Sequence, residues 1–360
     1  MEKAPNKIQQ IKVGISIGDV NGIGPEIIVK ALKDSRVLEE FTPVIYGTAK
    51  AILNSKNKLE AHDFSYKVCA TPDQIEERKI NLINCSDEEV EIKEGVPTAQ
   101  SAKLAIKALD KAALDLANGA IDVLVTAPIS KESIQNAGFN FPGHTEYLAE
   151  MSGQAEALMI MVSPLLKVAL VTSHVPIKDI AQNLTKDKIF AKISEFEKSL
   201  RKDFGIQRPT IAVLGLNPHA GENGKIGVEE QEVINPAISM AKSAGILVHG
   251  PFAADGFFGS DQRSKYDGVL AMYHDQGLTA FKALAFDEGV NFTAGLPIVR
   301  TSPDHGTAFD IAAQYIASAQ SMRSAIYLAI DVYKSRKFER EITAFALPIT
   351  IGEKDKSNAR

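Results

Sequence analysis

The segment Val269–Gly277, with the sequence VLAMYHDQG, places five mostly apolar residues before a histidine, an aspartate, a glutamine and a glycine. An apolar run of this length predicts a short buried strand, with the polar group at its end. The same order recurs in Val168–His174 and in Ile211–His219. Because ligands of open α/β sheets bind outside the carboxyl ends of strands, the three segments predict an α/β fold with a ligand site beside these histidines.

The three strand-end histidines are His174, His219 and His274. Three imidazoles that leave one coordination position open are the catalytic arrangement of zinc and related divalent ions. Taken singly, each histidine is better explained as a structural or exposed side chain, and His249 occupies a similar place after another predicted strand. The spacing alone therefore leaves a metal site and a set of structural histidines as open alternatives.

The composition is typical of a soluble globular enzyme, with 360 residues, 45% hydrophobic and 24% charged, and a formal net charge of -5. This charge provides no field to attract nucleic acid. No apolar run approaches the ~20 residues that span a bilayer, and the polar N-terminal segment lacks the core of a signal peptide. The cysteines, Cys69 and Cys85, do not make a disulfide framework. We therefore expect a cytoplasmic protein without nucleic-acid or membrane partners.

A glycine-rich turn, Gly18–Glu26, follows the first predicted strand at 12–18 and precedes a helix. Pro25 suits the first turn of that helix, because its missing N–H costs nothing there. The turn is either an anion-binding loop or a tight strand-to-helix connection, and the sequence favours neither. It matches neither the GxGxxG fingerprint of Rossmann units nor the phosphate-binding P-loop.

Hydrophobic periodicity places the remaining elements. Further strands are predicted at 42–47, 80–85, 121–126, 157–162 and 246–249, and helices at 98–118, 186–204, 229–243, 278–284, 308–317 and 320–334. The strands at 157–162 and 168–172 are predicted to pair across a Ser-Pro turn. The charged stretch 55–94 is interpreted as mostly solvated periphery.

Five further polar residues have chemistry suited to an active site. His144 and Thr145 lie at the predicted start of a helix and can donate hydrogen bonds to an anion, although Thr145 is also explained as a helix cap. Lys282 stands on an otherwise apolar helix, either as an anion ligand or as a lysine extending to solvent. Arg300 ends an apolar run. Asp255 lies in a loop beyond a strand, where a catalytic carboxylate could stand.

Seven motifs stand in order along the chain: Gly18–Glu26, Thr126–Lys131, Gly143–Glu146, Asn217–Glu222, Gly250–Asp255, Tyr273–Gly277 and Arg300–Gly306. Together they resemble the 4-hydroxythreonine-4-phosphate dehydrogenase family of pyridoxal phosphate biosynthesis. YHDQG and NPHAGE are the specific ones. The first motif departs from the family, which usually has Pro-Ala where this chain has Val20 and Asn21.

The resemblance implies a two-domain α/β fold like that of isocitrate and isopropylmalate dehydrogenases, which bind a dinucleotide without a Rossmann unit. Residues 1–130 with 300–360 would form a discontinuous first domain and residues 131–299 a second, with the active site in the cleft between them. The resemblance also implies a homodimer with a metal site shared across the interface. The implied cofactors are NAD or NADP and a zinc, magnesium or cobalt ion.

Residue roles follow from the matching motifs. The resemblance assigns the metal ligands His174, His219 and His274 and the substrate-binding residues His144, Thr145, Lys282, Asn291 and Arg300. We further predict the catalytic residues Asp255 and His144 and the cofactor-binding residues Asn217, Gly221 and Glu222. Either Asp255 or a metal-bound water would accept the proton of the substrate hydroxyl.

The implied reaction is the NAD-dependent oxidation of 4-phosphooxy-L-threonine to 2-amino-3-oxo-4-phosphooxybutanoate, which decarboxylates to 3-amino-2-oxopropyl phosphate. Three alternatives remain open at this stage. They are a paralogous dehydrogenase of another phosphorylated hydroxy acid, a metal-dependent hydrolase or aldolase, and a non-catalytic phosphate-binding protein.

Overall fold

The computed structural model of the chain describes residues 10–86, 88, 91–154 and 157–344. The strands are Ile11–Ser16 (β1), Phe41–Gly47 (β2), Lys67–Cys69 (β3), Asn81–Asn84 (β4), Val123–Thr126 (β5), Leu158–Val162 (β6), Lys167–Leu170 (β7), Thr210–Leu214 (β8), Leu247–Phe252 (β9), Gly268–Ala271 (β10), Val290–Ala294 (β11) and Arg300–Pro303 (β12). The helices are Gly24–Leu32 (α1), Val37–Glu40 (α2), Ala49–Lys58 (α3), Ala99–Ala117 (α4), Lys131–Asn136 (α5), His144–Met151 (α6), Ile180–Asn183 (α7), Lys186–Lys202 (α8), Asn235–Ser243 (α9), Ala254–Phe258 (α10), His274–Ala285 (α11) and Gln320–Ala344 (α12). The polar N-terminal segment of the sequence prediction lies outside the described residues.

All twelve described strands belong to one sheet, in the order β3-β4-β2-β1-β5-β12-β11-β6-β7-β10-β8-β9. The strands from β3 to β12 are parallel, as are those from β7 to β9. Three antiparallel pairings separate β12 from β7, so the two parallel halves run in opposite directions. The predicted α/β class is confirmed. Since β1 to β5 and β12 form one half and β6 to β11 the other, the strand order allows the predicted domain boundaries, which stay a prediction.

The strands that carry the three histidine motifs are neighbours: β7 pairs with β10, and β10 with β8, all parallel. Each is buried on both faces. In β8, Ile211 and Val213 pack into the larger apolar cluster, while Ala212 and Leu214 pack into a second cluster beneath α11. Burial on both faces explains why these strands read as continuous apolar runs without alternation. It also confirms the strands predicted from the sequence.

The helix predicted at 308–317 is wrong. Only the short 3-10 turn Ala312–Gln314 forms there, and Tyr315 is left-handed with φ 56°. The reason is that the backbone groups of this stretch bond to another helix. Lys30 donates to the carbonyls of Tyr315 and Ala317, and Glu26 accepts from the N–H of Ala317. Two side chains of α1 thereby replace the hydrogen bonds of a helix.

Two strands at the junction of the halves differ from the sequence prediction. The strand β11 was not predicted, and Arg300 begins β12 instead of ending an apolar run. β12 lies between β5 and β11, so it joins the first half of the sheet to the antiparallel centre. Arg300 is consequently placed beside β5, where its side chain meets residues of the second half.

The glycine-rich turn Gly18–Glu26 is buried along its length, which favours a tight connection over an open anion loop. Gly18 has φ +70°, and a Cβ there would lie 2.3 Å from the carbonyl oxygen of Pro128. The Asn21 side chain donates to the carbonyl of Val96 and accepts from the N–H of Lys93. No helix in the described ranges is long and apolar enough to cross a membrane.

Candidate active site

A cavity of about 370 Å³ lies where the two halves of the sheet meet. α6, α11 and the segments that follow β5 and β12 form its walls. It brings together all five predicted substrate-binding residues and two of the three predicted metal ligands: His144, Thr145, Lys282, Asn291, Arg300, His174 and His274. These residues are spread along the chain from His144 to Arg300, and the fold places them around one space.

Arg300 is the cationic centre of the cavity and is only 3% exposed. Its Nε and Nη2 donate to the hydroxyl of Thr126, at 3.1 and 2.6 Å, and its Nη1 donates to the hydroxyls of Thr293 and Thr145, at 3.1 and 3.4 Å. These partners are uncharged. Burial lowers the pKa of Arg300 to about 10, while the charge of Glu146 raises it, so the guanidinium stays charged near neutral pH. No described carboxylate forms an ion pair with Arg300, and a buried charge without a paired counter-charge is costly, so the arrangement suits an anionic ligand.

His144 begins α6 and faces Arg300. The guanidinium can only donate, so the contact of 3.3 Å between Arg300 Nη2 and His144 Nδ1 makes Nδ1 the acceptor. Burial, and then the charges of Arg300 and Lys131, lower the pKa of His144 well below its usual value. The imidazole is therefore neutral, with its proton on Nε2, and Nε2 has no partner among the described residues.

Asn291, in β11, adds a hydrogen-bond acceptor to the cavity wall. Its side-chain oxygen is buried and has no hydrogen-bond partner in the described part of the chain. The cavity wall thus carries an unpaired donor at His144 and an unpaired acceptor at Asn291, beside an unpaired cation. Each unmet buried group costs roughly 1–3 kcal/mol, so a ligand with matching groups gains that free energy on binding.

Lys282 connects the two halves of the molecule across the cavity. From α11 its Nζ lies 3.4 Å from a carboxylate oxygen of Asp304 and 3.3 Å from the Asp304 carbonyl, in the segment after β12. Burial raises the pKa of Asp304, and Lys282 opposes that rise. The main-chain N–H of Asp304 donates to the carbonyl of Gly289 and to the hydroxyl of Ser321, which fixes the backbone at this residue. Lys282 is therefore held near the cavity, with part of its side chain open to solvent.

His174 and His274 follow the adjacent strands β7 and β10, and their ring centroids are 6.2 Å apart. Two imidazoles on one tetrahedral zinc ion have centroids roughly 5 Å apart, given a Zn–N distance of ~2.1 Å. The Nδ1 of His274 lies 2.7 Å from the carboxylate of Asp275. Such a carboxylate orients a ligating histidine and leaves its Nε2 free for an ion.

The remaining residues of the HDQG motif hold this geometry. Gln276 donates to the carbonyl of Gly215 at 2.6 Å and accepts from the N–H of Met272 at 2.7 Å, so it ties the end of β8 to the end of β10. A Cβ on Gly277 would lie 2.9 Å from Leu170, and the glycine lets α11 pack closely on β7. Gln276 and Gly277 therefore have structural roles, and Asp275 orients the His274 ring.

His219 and Asp255 do not line this cavity. Both are exposed, His219 in the 3-10 segment Pro218–Gly224 and Asp255 in α10, which packs beside that segment. Nowhere in the described ranges do three or more His, Cys, Asp or Glu side chains stand close enough to hold a metal ion. The three-histidine site expected from the sequence is thus not assembled from one chain, and Asp255 is not beside the substrate residues of its own chain.

The segment around His219 is strained. His219, Ala220, Glu222 and Asn223 have φ between 43° and 57°, in the left-handed region. A left-handed conformation costs roughly 1–2 kcal/mol for a residue with a Cβ. The predicted cofactor residues lie in or next to this turn and make internal contacts. The Asn217 amide donates to the carboxylates at 229 and 230, Gly221 is buried, and Glu222 is exposed.

Comparison with known proteins identifies the family. The sequence model described as "Pyridoxal phosphate biosynthetic protein PdxA" matches residues 39–329. A 4-hydroxythreonine-4-phosphate dehydrogenase from Bacteroides thetaiotaomicron is 47% identical over 92% of this chain and 91% of its own length. The chain belongs to the PdxA family.

Two further comparisons concern dehydrogenases of phosphorylated compounds. A protein from Oceanobacillus iheyensis, assigned provisionally as a D-threonate 4-phosphate dehydrogenase, is 40% identical over 89% of this chain and 97% of its own length. The crystal structure of 4-hydroxythreonine-4-phosphate dehydrogenase from Klebsiella pneumoniae has a TM-score of 0.77 and 36% identity, covering 91% of this chain and 99% of that one. These relatives are dehydrogenases, so this PdxA-family chain is an oxidoreductase.

Sequence reasoning missed several residues of the PdxA-family site. Thr126 and Thr293 hold Arg300, and Asp304 holds Lys282. Thr293 lies within a buried strand and in none of the motifs, so nothing in the sequence marked it. Thr126 begins the motif Thr126–Lys131 and could have been singled out. Asp304 lies inside the motif Arg300–Gly306 and could have been singled out as a partner for a nearby cation.

Proposed function

We propose that the protein oxidises 4-phosphooxy-L-threonine with NAD, giving 2-amino-3-oxo-4-phosphooxybutanoate. As a β-keto acid this product loses CO2 and leaves 3-amino-2-oxopropyl phosphate, an intermediate of pyridoxal 5'-phosphate biosynthesis. The observation that carries the proposal is the buried, unpaired guanidinium of Arg300 in a cavity of a PdxA-family chain. The substrate is a phosphate ester and a carboxylate, the two groups that a fixed guanidinium binds best.

The proposed substrate has groups that match the unpaired atoms of the cavity. Arg300 and Lys282 supply the positive charge for its anionic groups, and Thr145 completes the hydroxyl shell around Arg300. His144 donates from Nε2 to a substrate oxygen. Asn291 accepts, through its side-chain oxygen, a hydrogen bond from the ammonium or hydroxyl group. In this assignment His144 orients the substrate as a neutral donor.

We propose that a divalent ion is held by His174 and His274 of one subunit with His219 of a second subunit. The donor set fits zinc, cobalt or magnesium to different degrees, with imidazoles favouring zinc and cobalt. When bound, such an ion would make the substrate hydroxyl more acidic. Asp275 orients His274 toward it. The exposed position of His219 suits a ligand given to a neighbouring chain, which supports a homodimer with shared sites.

NAD, or NADP, would take the hydride from the oxidised carbon. Gly221 and Glu222 stay predicted cofactor contacts, whereas the Asn217 amide is already donated within its own turn. Asp255 stays the predicted proton acceptor, contributed like His219 by the second subunit. Cys69 and Cys85 are free thiols, which suits a reducing cytoplasm.

A second candidate substrate is D-threonate 4-phosphate, because a relative with 40% identity is provisionally assigned to it. It carries a hydroxyl where the first candidate has an ammonium. Both are phosphorylated hydroxy acids, so the anion site described above serves either. A metal-dependent hydrolase or aldolase, in contrast, would use the histidines without forming NADH.

The test is NADH formation, followed at 340 nm, with each phosphorylated substrate and with NAD or NADP. We expect 4-phosphooxy-L-threonine with NAD to give the highest kcat/KM, and thorough chelation to remove the activity until zinc or cobalt is restored. A higher kcat/KM with D-threonate 4-phosphate would replace the substrate. Cleavage of either compound without NADH would replace the dehydrogenase assignment.

A further inference from the structure

The left-handed turn His219–Asn223 holds an exposed histidine in a conformation that its sequence does not favour. Five consecutive residues have φ between 43° and 76°, and only Gly221 among them adopts such values without strain. The His219 side chain is exposed, so packing does not fix its direction. The backbone of the turn must do so, and a strained backbone persists only where its surroundings hold it.

Glu230 is the side chain that holds the turn. It is only 2% exposed, although it is an acid. One carboxylate oxygen accepts from the main-chain N–H groups of Leu216 and Asn217, both at 2.7 Å. The other accepts from the Asn217 side-chain amide at 2.9 Å. Three donors from the two residues that lead into the turn thus converge on one buried acid.

Two glycines make room for that carboxylate. A Cβ on Gly215 would lie 3.0 Å from one of its oxygens, and a Cβ on Gly221 would lie 2.5 Å from the other. The acid projects from the π-helical turn Glu230–Ile234, a form that occurs mostly as single turns near functional sites. The carbonyl of Gly215 also accepts from Gln276, two residues after His274. The Glu230 anchor is therefore linked to the motif that carries the other histidines.

We propose that Glu230 is a positioning residue that fixes the strained turn, so that His219 presents its imidazole as a ligand for a divalent ion. This inference rests on the metal role in the proposed function and adds the residue that sets its geometry. It goes beyond the three histidines, because Glu230 itself reaches neither the cavity nor the exposed edge of the turn. Its effect is transmitted through Leu216, Asn217 and Gly221.

Cobalt titration of the purified, metal-free protein tests this, with visible absorption of bound Co²⁺ as the readout. Glu230→Gln keeps the size of the side chain but places an N–H₂ group opposite one of the three donors, where the carboxylate offers an acceptor. We expect it to weaken Co²⁺ binding roughly 10- to 100-fold, the range found when the orienting partners of metal ligands are removed. Glu232→Gln, the same change at an exposed position of the same π-helical turn, should bind Co²⁺ like the wild type.

His219→Ala separates this inference from the proposed function. If His219→Ala binds Co²⁺ as tightly as the wild type, the metal role of His219 falls, and the role of Glu230 falls with it. If His219→Ala weakens binding but Glu230→Gln does not, only the positioning role is overturned.

A double variant distinguishes positioning from a loss of folding. Ala220 lies in the left-handed turn, so Ala220→Gly relieves strain and should raise the melting temperature of Glu230→Gln. A positioning role predicts that Glu230→Gln/Ala220→Gly regains stability without regaining Co²⁺ affinity, because the turn is then still free to move. Recovery of both quantities together would reduce Glu230 to a stabilising residue and overturn the proposal.

Discussion

The cavity at the sheet junction and the turn at His219–Asn223 are built in opposite ways. In the cavity, Arg300 is fixed by hydroxyls of three different elements and is nearly inaccessible to solvent. At the turn, His219 is exposed and its position depends on a strained backbone. The residues of the first region all come from one chain. The second offers an imidazole that nothing described in its own chain uses.

The contrast between the two regions indicates what completes each of them. Unpaired buried groups mark the place where a substrate supplies the missing hydrogen bonds. A strained and exposed ligand marks a place where another molecule supplies the rest of the site. In a two-fold dimer, a turn of one subunit and the cavity of the other can meet twice, once for each active site.

Subunit mixing tests this division most strongly. His219→Ala and Lys282→Ala should each be close to inactive alone, because one removes a ligand and the other an anion contact. If the site is shared, every heterodimer regains one of its two sites. Equal mixing makes about half of all dimers heterodimers, so activity should recover to about a quarter of the wild type. His274→Ala mixed with Lys282→Ala is the control pair, since both residues line the same cavity. Recovery of activity in the control pair would contradict a site shared in this way. So would a lack of recovery in both pairs despite subunit exchange.

Arg300→Met probes the closed region. It removes the guanidinium but keeps most of the volume, so binding of the phosphorylated substrate should weaken by roughly 2–5 kcal/mol, the cost of breaking a buried charged contact. NAD binding should change little. The Kd values of both ligands are the measurement, and Arg36→Met, at an exposed arginine paired only with Asp34, is the control. Equal losses for both ligands would indicate a folding defect in place of an anion site.

Asp275→Asn tests whether Asp275 orients His274 as a metal ligand. The exchange removes the negative charge beside His274 Nδ1 without changing the size of the side chain. Co²⁺ affinity should fall about 10- to 100-fold, while the melting temperature of the metal-free protein stays near that of the wild type. Asp287→Asn, at an exposed aspartate just beyond α11, is the matched control. An unchanged Co²⁺ affinity in Asp275→Asn would remove His274 from the ligand set.

The pH dependence of stability tests the state of His144. Its pKa in the folded chain lies well below the usual 6.5, so below pH 6.5 the unfolded chain takes up a proton that the folded chain refuses. Stability is therefore fully present above pH 6.5 and falls as the pH is lowered. At pH 5 this histidine should lower the free energy of unfolding by up to about 2 kcal/mol. The free energy of unfolding of His144→Gln should therefore fall by correspondingly less between pH 7 and 5. Urea unfolding at both pH values measures it, with exposed His62→Gln expected to behave like the wild type.

The sequence predicted the apolar strands well, because burial on both faces leaves an uninterrupted apolar run. It also selected the five residues that the structure brings together in the cavity. His144, Thr145 and Arg300 lie within the quoted motifs, Lys282 stands on an apolar helix, and Asn291 came from the family resemblance. It did not predict β11, whose short sequence VNFTA follows a glycine and carries Asn291. Nor did it predict that Glu26 and Lys30 would occupy the backbone of residues 315–317 in place of a helix. Contacts between residues almost 300 positions apart leave no local pattern in the sequence. The distance between His219 and the cavity likewise depends on the whole fold, so no local pattern could reveal it.

The strand that joins the sheet, β12, is also made last. β1 to β5 and β6 to β11 are all synthesised before residues 300–303, which fit between them. During synthesis, at about 5–20 residues per second, the growing chain therefore contains strands of both halves before it contains the strand that joins them. Arg300 and Asp304 both arrive with this strand, and α12 then packs against it. An unfinished chain therefore lacks both the guanidinium at the centre of the cavity and the carboxylate that pairs with Lys282.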